Sequence, residues 1–125
     1  MTRGMATLAV LATLAWMGLI FALSSRRTIP EPFGLASGLI AIGGHLTAYA
    51  ILAILLWWAI APMALSVPRR FVLALMGAVF YGLSDEWHQS FVPGRDASGF
   101  DLAIDALGAC LGLGVVRFVS RSRCQ

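Results

Sequence analysis

Four long apolar runs dominate the chain and alternate with short polar stretches. The first, from Met5 to Leu23, carries no charge. As a helix it is about 28 Å long, which is enough to cross a bilayer. Three further runs follow, and the third stays helical in character to about residue 90. The pattern predicts an all-α, polytopic membrane protein, a compact bundle of four transmembrane helices in a single domain, residues 1–125, with helices at roughly residues 5–23, 39–61, 71–90 and 100–119.

The first run also has some features of a secretory signal peptide. Arg3 provides a short basic start, and Ala22 to Ser24 loosely fits a cleavage site. However, the apolar region is longer than a typical signal core and more membrane segments follow it. A retained helix is therefore the favoured interpretation.

Proline, glycine and tryptophan positions refine this outline. The first loop spans residues 24–38, and Pro62 and Pro68 bracket a short turn before the third helix. Asp96 and Ser98 are both candidate N-caps of the fourth helix. The tryptophans are predicted to be anchors at the membrane interface: Trp16, Trp57, Trp58 and Trp87.

Composition supports the membrane class and argues against nucleic-acid binding. The chain is 59% hydrophobic and only 12% charged, with a mean hydropathy of +0.84, whereas soluble domains are about a quarter charged. Its net charge of +3 comes from nine arginines and no lysine. These arginines flank the predicted helices, a placement that membrane topology explains, so no nucleic-acid partner is expected.

The two cysteines support no disulfide framework. Cys110 falls inside the last apolar run and is predicted to be a small packing residue, and Cys124 is predicted to be a thiol of the basic tail.

Arginine placement also predicts orientation. Four crossings put both termini and the second loop on one side of the membrane, with six arginines against three on the other side. Positive charge favours the cytoplasm, so the termini are predicted to be cytoplasmic. The six are Arg3, Arg69, Arg70, Arg117, Arg121 and Arg123; the three are Arg26, Arg27 and Arg95.

Polar residues concentrate at the opposite, external end of the predicted helices. Residues 80–105 contain five of the six acidic residues. Charged groups at this depth are expensive, so by default they mark a functional site. His45 lies in the first third of the second helix, at the same membrane face.

Helical phase predicts that these side chains converge. Residues three or four apart share a helix face, which aligns Gly77, Tyr81 and Asp85 with His88 and Gln89, while Trp87 points elsewhere. On the other helices the same spacing groups His45 with Tyr49, and Asp101 and Asp105 with Gly108 and Gly112. Three polar stripes at one depth predict one shared pocket, and the glycines allow a neighbouring helix to approach closely.

Simpler explanations exist for single members of this group. Asp101 and Asp105 can complement a helix dipole, and His45 can be a packed residue that forms a hydrogen bond across helices. Glu86, about 100° around the helix from Asp85, can face headgroups or a second wall of the pocket. Arg95 can be an ordinary loop charge.

The residue types permit several chemistries. Two histidines with carboxylates can bind a divalent metal, although the spacing matches no standard zinc motif. A carboxyl group and a histidine can act as acid and base, and Arg95 can bind a phosphate or carboxylate. Ser24, Ser25 and Ser84 are candidate nucleophiles without a supporting signature. Alternatively, the charges pair with each other and only hold the helices together.

Three segments of the sequence resemble the VanZ-like family of small bacterial integral membrane proteins. They are FALSS at residues 21–25, GHLTAYAILA at residues 44–53, and YGLSDEWHQSFVPGRDASGFDLAIDALGA at residues 81–109. The likeness covers about residues 18–116. It implies about four transmembrane helices with a polar motif at one membrane face, in the bacterial cytoplasmic membrane. The family takes its name from a member associated with low-level resistance to the glycopeptide teicoplanin.

Together these observations predict a pocket near the external face that recognises or modifies an anionic or lipid-linked envelope component. Asp85 and His88, with Glu86 and Asp105, are the hypothetical catalytic group; the binding group is His45, Tyr49, Tyr81, Gln89, Arg95 and Asp101. In a VanZ-like context such a pocket would alter how a glycopeptide meets its wall target. The alternative is a structural or assembly partner whose polar cluster holds the helices together. The lipid bilayer is an expected partner, and a homo-oligomer is compatible with the glycine-bearing helix.

Overall fold

A computed structural model describes residues 3–26 and 34–122, and within these ranges all of the regular secondary structure is helical. Four helices follow one another along the chain: α1 (Arg3–Ser24), α2 (Gly34–Ala59), α3 (Val67–Gln89) and α4 (Gly99–Ser122). Each is long and apolar enough to span a membrane. The predicted four-helix, all-α fold is confirmed. Arg27, Arg123 and Cys124, which entered the charge and cysteine predictions, lie outside the described residues.

Helices α2 and α3 begin earlier than the apolar runs indicate. Helix α2 starts at Gly34 rather than near residue 39, and α3 starts at Val67 rather than Phe71. Pro68 therefore lies in the first turn of α3, where no intrahelical N–H bond is lost. The prediction that Pro68 closes the preceding turn was wrong. That turn contains a short 3-10 segment, Ala61–Met63, which ends at Ala64 in a left-handed conformation, with φ of 50°.

Helices α2 and α4 form the most extensive helix pair of the described residues. Gly108 and Gly112 of α4 lie directly on the backbone of α2, at Leu46 and Ala50 respectively. A Cβ atom built on Gly108 would be 2.9 Å from the Leu46 Cα, too close for any side chain. The glycines thus allow a neighbouring helix to approach closely, as expected, and that neighbour is α2 of the same chain. A homo-oligomer remains a prediction, and because α2 covers the glycine face of α4, a second copy would have to bind a different surface.

The bundle has apolar residues outside and several polar residues inside. Large side chains such as Ile40 and Phe118 are 76% and 74% exposed. Conversely, the buried residues include polar ones, among them Thr13, Ser24, Asp85, Glu86, Gln89 and Asp105. An apolar surface around a partly polar interior suits a lipid environment, because hydrocarbon replaces water as the surrounding solvent.

Two predicted interfacial tryptophans make polar contacts within the bundle, where Trp57 is buried and Trp16 is half-buried. Trp57 is buried, and the Arg70 guanidinium lies 4.2 Å from its ring centroid. Arg70 Nε also donates to the Trp57 carbonyl, at 2.8 Å, and so satisfies an acceptor at the end of α2. The Trp16 indole N–H donates to the Ala48 carbonyl at 2.9 Å. The anchor prediction was wrong for both, because each finds a polar partner within the bundle; Trp58 and Trp87 are exposed.

Cys110 is exposed on α4 rather than packed. It lies on the outer surface because the inner face of that helix is occupied by its neighbours Gly108, Ala109 and Gly112. The prediction of a packing role for Cys110 was wrong.

Candidate functional site

The polar ends of all four helices meet at one end of the bundle. Contacts join the last turn of α1 to α3, the first half of α2 to α4, and the end of α3 to the start of α4. We call this region the polar end and define it by Ser24, His45, Asp85, Glu86 and Asp105. The common depth that the sequence predicted is therefore present in the structure.

Asp85 is buried and accepts a hydrogen bond at each carboxylate oxygen. The Ser24 hydroxyl donates to Oδ1 at 2.6 Å, and the Gln89 amide donates to Oδ2 at 2.9 Å. Ser24 comes from α1 and Gln89 lies one turn further along α3. Helix α1, which was not included in the predicted pocket, thus supplies a direct partner of its central carboxylate.

His45 and Asp105 form a second buried contact, between α2 and α4. His45 Nδ1 lies 2.8 Å from Asp105 Oδ1, which makes an ion pair whenever the imidazole is protonated. Asp105 is 1% exposed, whereas the His45 side chain retains 18% exposure. Because Nδ1 is engaged by Asp105, Nε2 is the ring nitrogen that His45 can offer to a ligand.

Glu86 faces α4 and not the headgroups. Its Oε2 accepts a hydrogen bond from the Ser98 backbone N–H at 2.8 Å. The Ser98 hydroxyl in turn accepts from the N–H groups of Phe100 and Asp101, so Ser98, and not Asp96, is the N-cap of α4. The Glu86 contact ties the end of α3 to the first turn of α4.

Three buried oxygen atoms of the described residues have no hydrogen-bond partner: Tyr49 Oη, Glu86 Oε1 and Asp105 Oδ2. Gly82 makes room for two of these residues. A Cβ built on it would lie 3.2 Å from Tyr49 Cε1 and 3.4 Å from Asp105 Oδ2. Buried polar atoms in proteins normally have partners. The interior of the polar end therefore has hydrogen-bonding capacity beyond its own contacts.

His88 is turned away from His45 and Asp105. Its Nε2 lies 2.9 Å from the Ser25 hydroxyl, and its ring stacks on Phe21 with centroids 4.3 Å apart. The hydrogen bonds of Asp85 go to Ser24 and Gln89, so the predicted acid–base pair of Asp85 and His88 is not joined directly. The structure instead pairs a histidine with a carboxylate at His45 and Asp105.

The remaining predicted site residues occupy different positions around the centre. Arg95 Nη1 donates to the Ser24 carbonyl at 3.3 Å, after a loop that turns at Gly94, where φ is 82°. Tyr81 donates through its hydroxyl to the Met17 carbonyl of α1. Asp101 lies in the first turn of α4, within electrostatic range of His45.

A cleft of about 240 Å³ opens among these groups, between α1, α2 and α3. We call it the inner cleft. One part of its wall is apolar, formed by Ile20, Leu23, Ala41, Gly44 and Ala48. The other part is polar and contains five of the predicted site residues together with Ser24: His45, Tyr49, Asp85, Gln89 and Arg95.

A second cleft of about 450 Å³ also has Asp85 in its wall. We call it the outer cleft. It is mostly aromatic and is lined by Phe21, Tyr81, Ser84, Asp85, Trp87, His88 and Phe91.

No group of three or more His, Cys, Asp or Glu side chains in the described ranges is placed to hold a metal ion. His45 and His88 point to different neighbours, which separates the two nitrogen ligands that the metal hypothesis required.

The family model described as VanZ/LLP1 matches residues 8–120. The chain belongs to the VanZ/LLP1 family. This confirms the resemblance drawn from the three sequence segments, and the match extends beyond the residues that carried it. No curated protein and no solved structure matches the chain. Every residue of the polar end lies within the VanZ/LLP1 match.

Two serines that the sequence analysis treated as candidate nucleophiles, and as part of the FALSS segment, contact predicted site residues of this VanZ/LLP1 protein. Ser24 and Ser25 directly follow the 19-residue uncharged run of α1 and lie at the same membrane end as the acids. Their position in the sequence could therefore have indicated that both serines belong to the site. Ser24 and Ser25 contact Asp85 and His88 respectively, so α1 belongs to the site of this multi-pass membrane protein.

Proposed function

We propose that the protein binds the anionic headgroup of a lipid or lipid-linked envelope component in the inner cleft. The observation that carries this proposal is the composition of the cleft wall: Arg95 and His45 share it with apolar side chains of α1 and α2. A ligand that matches both parts is an amphiphile with a negatively charged headgroup.

Arg95 is the main cationic group of the proposed site. It uses Nη1 towards the Ser24 carbonyl, which orients the guanidinium, and its other donors remain suited to a phosphate or carboxylate. His45 offers Nε2 on the same wall, and its ring is held in place by the contact between Nδ1 and Asp105. A phosphate placed between them would receive charge-assisted hydrogen bonds from two sides.

Asp85 narrows the chemistry expected of the headgroup. Its oxygens already accept from Ser24 and Gln89, and each carboxylate oxygen can accept a further hydrogen bond. This carboxylate favours a headgroup that offers it a hydrogen-bond donor, which a phosphate monoester that keeps one proton also does. A headgroup that also carries a hydroxyl or ammonium group would donate to Asp85 while its phosphate lies near Arg95.

The same arrangement indicates which residue would act if the headgroup is modified as well as bound. A carboxylate that holds one ring nitrogen of histidine leaves the other to accept or donate a proton. His45, oriented by Asp105, is the acid–base candidate of the inner cleft, in place of the His88 role predicted from the sequence.

We further propose that the polar end faces the outside of the bacterial cytoplasmic membrane, with the termini in the cytoplasm. The support is the excess of arginines on the other side. The inner cleft would then meet the outer leaflet, where wall precursors and glycopeptides are found. Binding an envelope component there is how a role in teicoplanin resistance, suggested by the family name, would arise.

Arg95→Gln tests headgroup binding. We expect it to lower the retention of phosphatidylglycerol relative to phosphatidylcholine about tenfold or more, because a hydrogen bond to a charged group contributes about 1.5–3 kcal/mol. Native mass spectrometry of protein released from mixed-lipid nanodiscs measures this ratio. Arg26→Gln is the control, since Arg26 is an exposed cation at the same end that lines neither cleft. Equal retention by Arg95→Gln and wild type would refute the proposal.

The second candidate function is a structural one, in which the polar end only holds the helices together. It is favoured by the Ser24–Asp85 and Glu86–Ser98 hydrogen bonds, which join α1 to α3 and α3 to α4. In that case the protein would serve as an assembly partner in the envelope.

Asp85→Asn separates the two functions. The Gln89 amide can rotate so that its oxygen accepts from the new Asn amide, and Ser24 can still donate to the Asn oxygen. We therefore expect a folded protein with a melting temperature close to wild type and weaker retention of phosphatidylglycerol. Asp85→Leu, which removes both hydrogen bonds, is expected to melt earlier. If Asp85→Asn retains phosphatidylglycerol as well as wild type does, the structural function is the better explanation.

A further inference from the structure

The outer cleft lies on the membrane-facing side of the site. Three of its aromatic side chains, Phe21, Trp87 and Phe91, are 50%, 71% and 71% exposed. Phe21 and Trp87 belong to helices that can span the membrane. In a bilayer the mouth of this cleft would therefore lie at the interface, where aromatic side chains meet both headgroups and the first part of the hydrocarbon chains.

The two clefts adjoin at Asp85, which lines both of them. What separates them is the seam between α1 and α3. These helices touch each other far less than α1 touches α2. The Ser24–Asp85 and Ser25–His88 hydrogen bonds cross the seam, together with the Phe21–His88 stacking and the bond from Tyr81 to the Met17 carbonyl.

We propose that the outer cleft holds the hydrocarbon chain of the ligand whose headgroup lies in the inner cleft, and that α1 and α3 part at the seam between the clefts when the ligand enters. This inference rests on the proposed function and narrows it: the phosphate of the natural ligand is anchored in the membrane by a long chain. Its route is lateral, from the bilayer past Phe21 and Trp87. The shared chemistry is a phosphate on a long chain, as in a glycerophospholipid or a polyprenyl phosphate.

The chemistry of the outer cleft supports this placement. Its aromatic rings can pack against methylene groups, and the polar groups of Ser84, Asp85 and His88 lie where chain and headgroup would join. The inner cleft, at about 240 Å³, has room for a headgroup and, against its apolar wall, the first methylene groups, but not for a long chain. The outer cleft adds about 450 Å³. Together they accommodate the two parts of one amphiphile.

Ser84→Phe tests the inference because it fills the outer cleft without touching the inner one. Ser84 is exposed, and its hydroxyl donates only to the Tyr81 carbonyl of its own helix, at 2.7 Å. Leu83→Phe is the matched control, since Leu83 is 51% exposed on the same helix and lines neither cleft. Phosphatidylglycerol and undecaprenyl phosphate are supplied separately in phosphatidylcholine nanodiscs, and lipid retention is measured by native mass spectrometry.

We expect Ser84→Phe to lower retention of at least one of the two lipids about tenfold, which corresponds to about 1.4 kcal/mol, and Leu83→Phe to leave it unchanged. The lipid that is affected identifies the source of the phosphate. Soluble glycerol 1-phosphate, followed by saturation-transfer NMR, is expected to bind wild type and Ser84→Phe alike. Arg95→Gln is expected to lose both the lipid and the soluble phosphate.

The outcomes distinguish failure of this inference from failure of the proposed function. Retention by Ser84→Phe equal to that of Leu83→Phe would overturn the inference and leave headgroup binding intact. Loss of glycerol 1-phosphate binding in Ser84→Phe would also overturn it, because the two clefts would then not have separate tasks. Unchanged binding in Arg95→Gln would instead overturn the proposed function.

Discussion

Alanine at both Gly108 and Gly112 is expected to remove most of the folded protein. At each position the added Cβ would lie 2.9 Å from backbone atoms of α2, at Leu46 and Ala50. Backbone cannot rotate away as a side chain can, so α2 and α4 must separate. Overpacking costs about 3 kcal/mol at such a site, and replacing glycine in a helix returns about 1 kcal/mol. The net loss is about 4 kcal/mol for the pair of substitutions, using the same estimates.

The measurement is the melting temperature of the detergent-solubilised protein, followed by fluorescence-detected size exclusion. Alanine at both Gly43 and Gly114 is the matched control, because nothing lies within 4 Å of a Cβ at either position. This control is expected to be as stable as wild type or more so. If both double variants behave alike, the close contact of α2 with α4 does not determine stability.

His45→Leu is expected to have the second-largest effect, because it leaves Asp105 buried without its histidine partner. Breaking a buried charge pair costs about 3–5 kcal/mol. The 18% exposure of the His45 side chain favours the lower end, about 3 kcal/mol. Combining His45→Leu with Asp105→Leu is expected to recover most of that loss, since apolar residues in place of a whole buried pair are often tolerated.

Equilibrium unfolding of the two single variants and the double variant measures this coupling. Asp96→Ala serves as the control, since Asp96 is exposed and its removal is expected to change the free energy of unfolding by less than about 0.5 kcal/mol. A double variant that is less stable than either single variant would contradict the buried-pair interpretation. Phosphatidylglycerol retention is expected to stay low in the double variant even where stability returns.

These expectations divide the molecule into two parts. Helices α2 and α4 form the tightly packed half, fixed by glycine contacts and the His45–Asp105 pair. Helix α1 rests on α3 mainly through side-chain contacts at Ser24, Ser25 and Phe21. The proposed lipid route follows the looser seam, where opening requires the loss of fewer contacts.

The sequence by itself determined the number of membrane-length helices and the fact that their polar residues share one end of the bundle. Both are local properties. Nineteen uncharged residues from Met5 to Leu23 fix a span by length alone, and the positions of His45, Asp85 and Asp105 along their helices fix their depth. The glycine line of α4 was also visible from spacing, because residues four apart share a face.

Only the tertiary structure decided which side chains meet. His88 and Gln89 follow Asp85 by three and four residues, so both seemed to share its face, yet they are about 100° apart around the helix. Gln89 turns inward to Asp85, and His88 turns to α1. Periodicity gives each helix a polar face but not the order of helices around the bundle. That order depends on how closely the backbones approach, and here Gly108 and Gly112 pair α4 with α2.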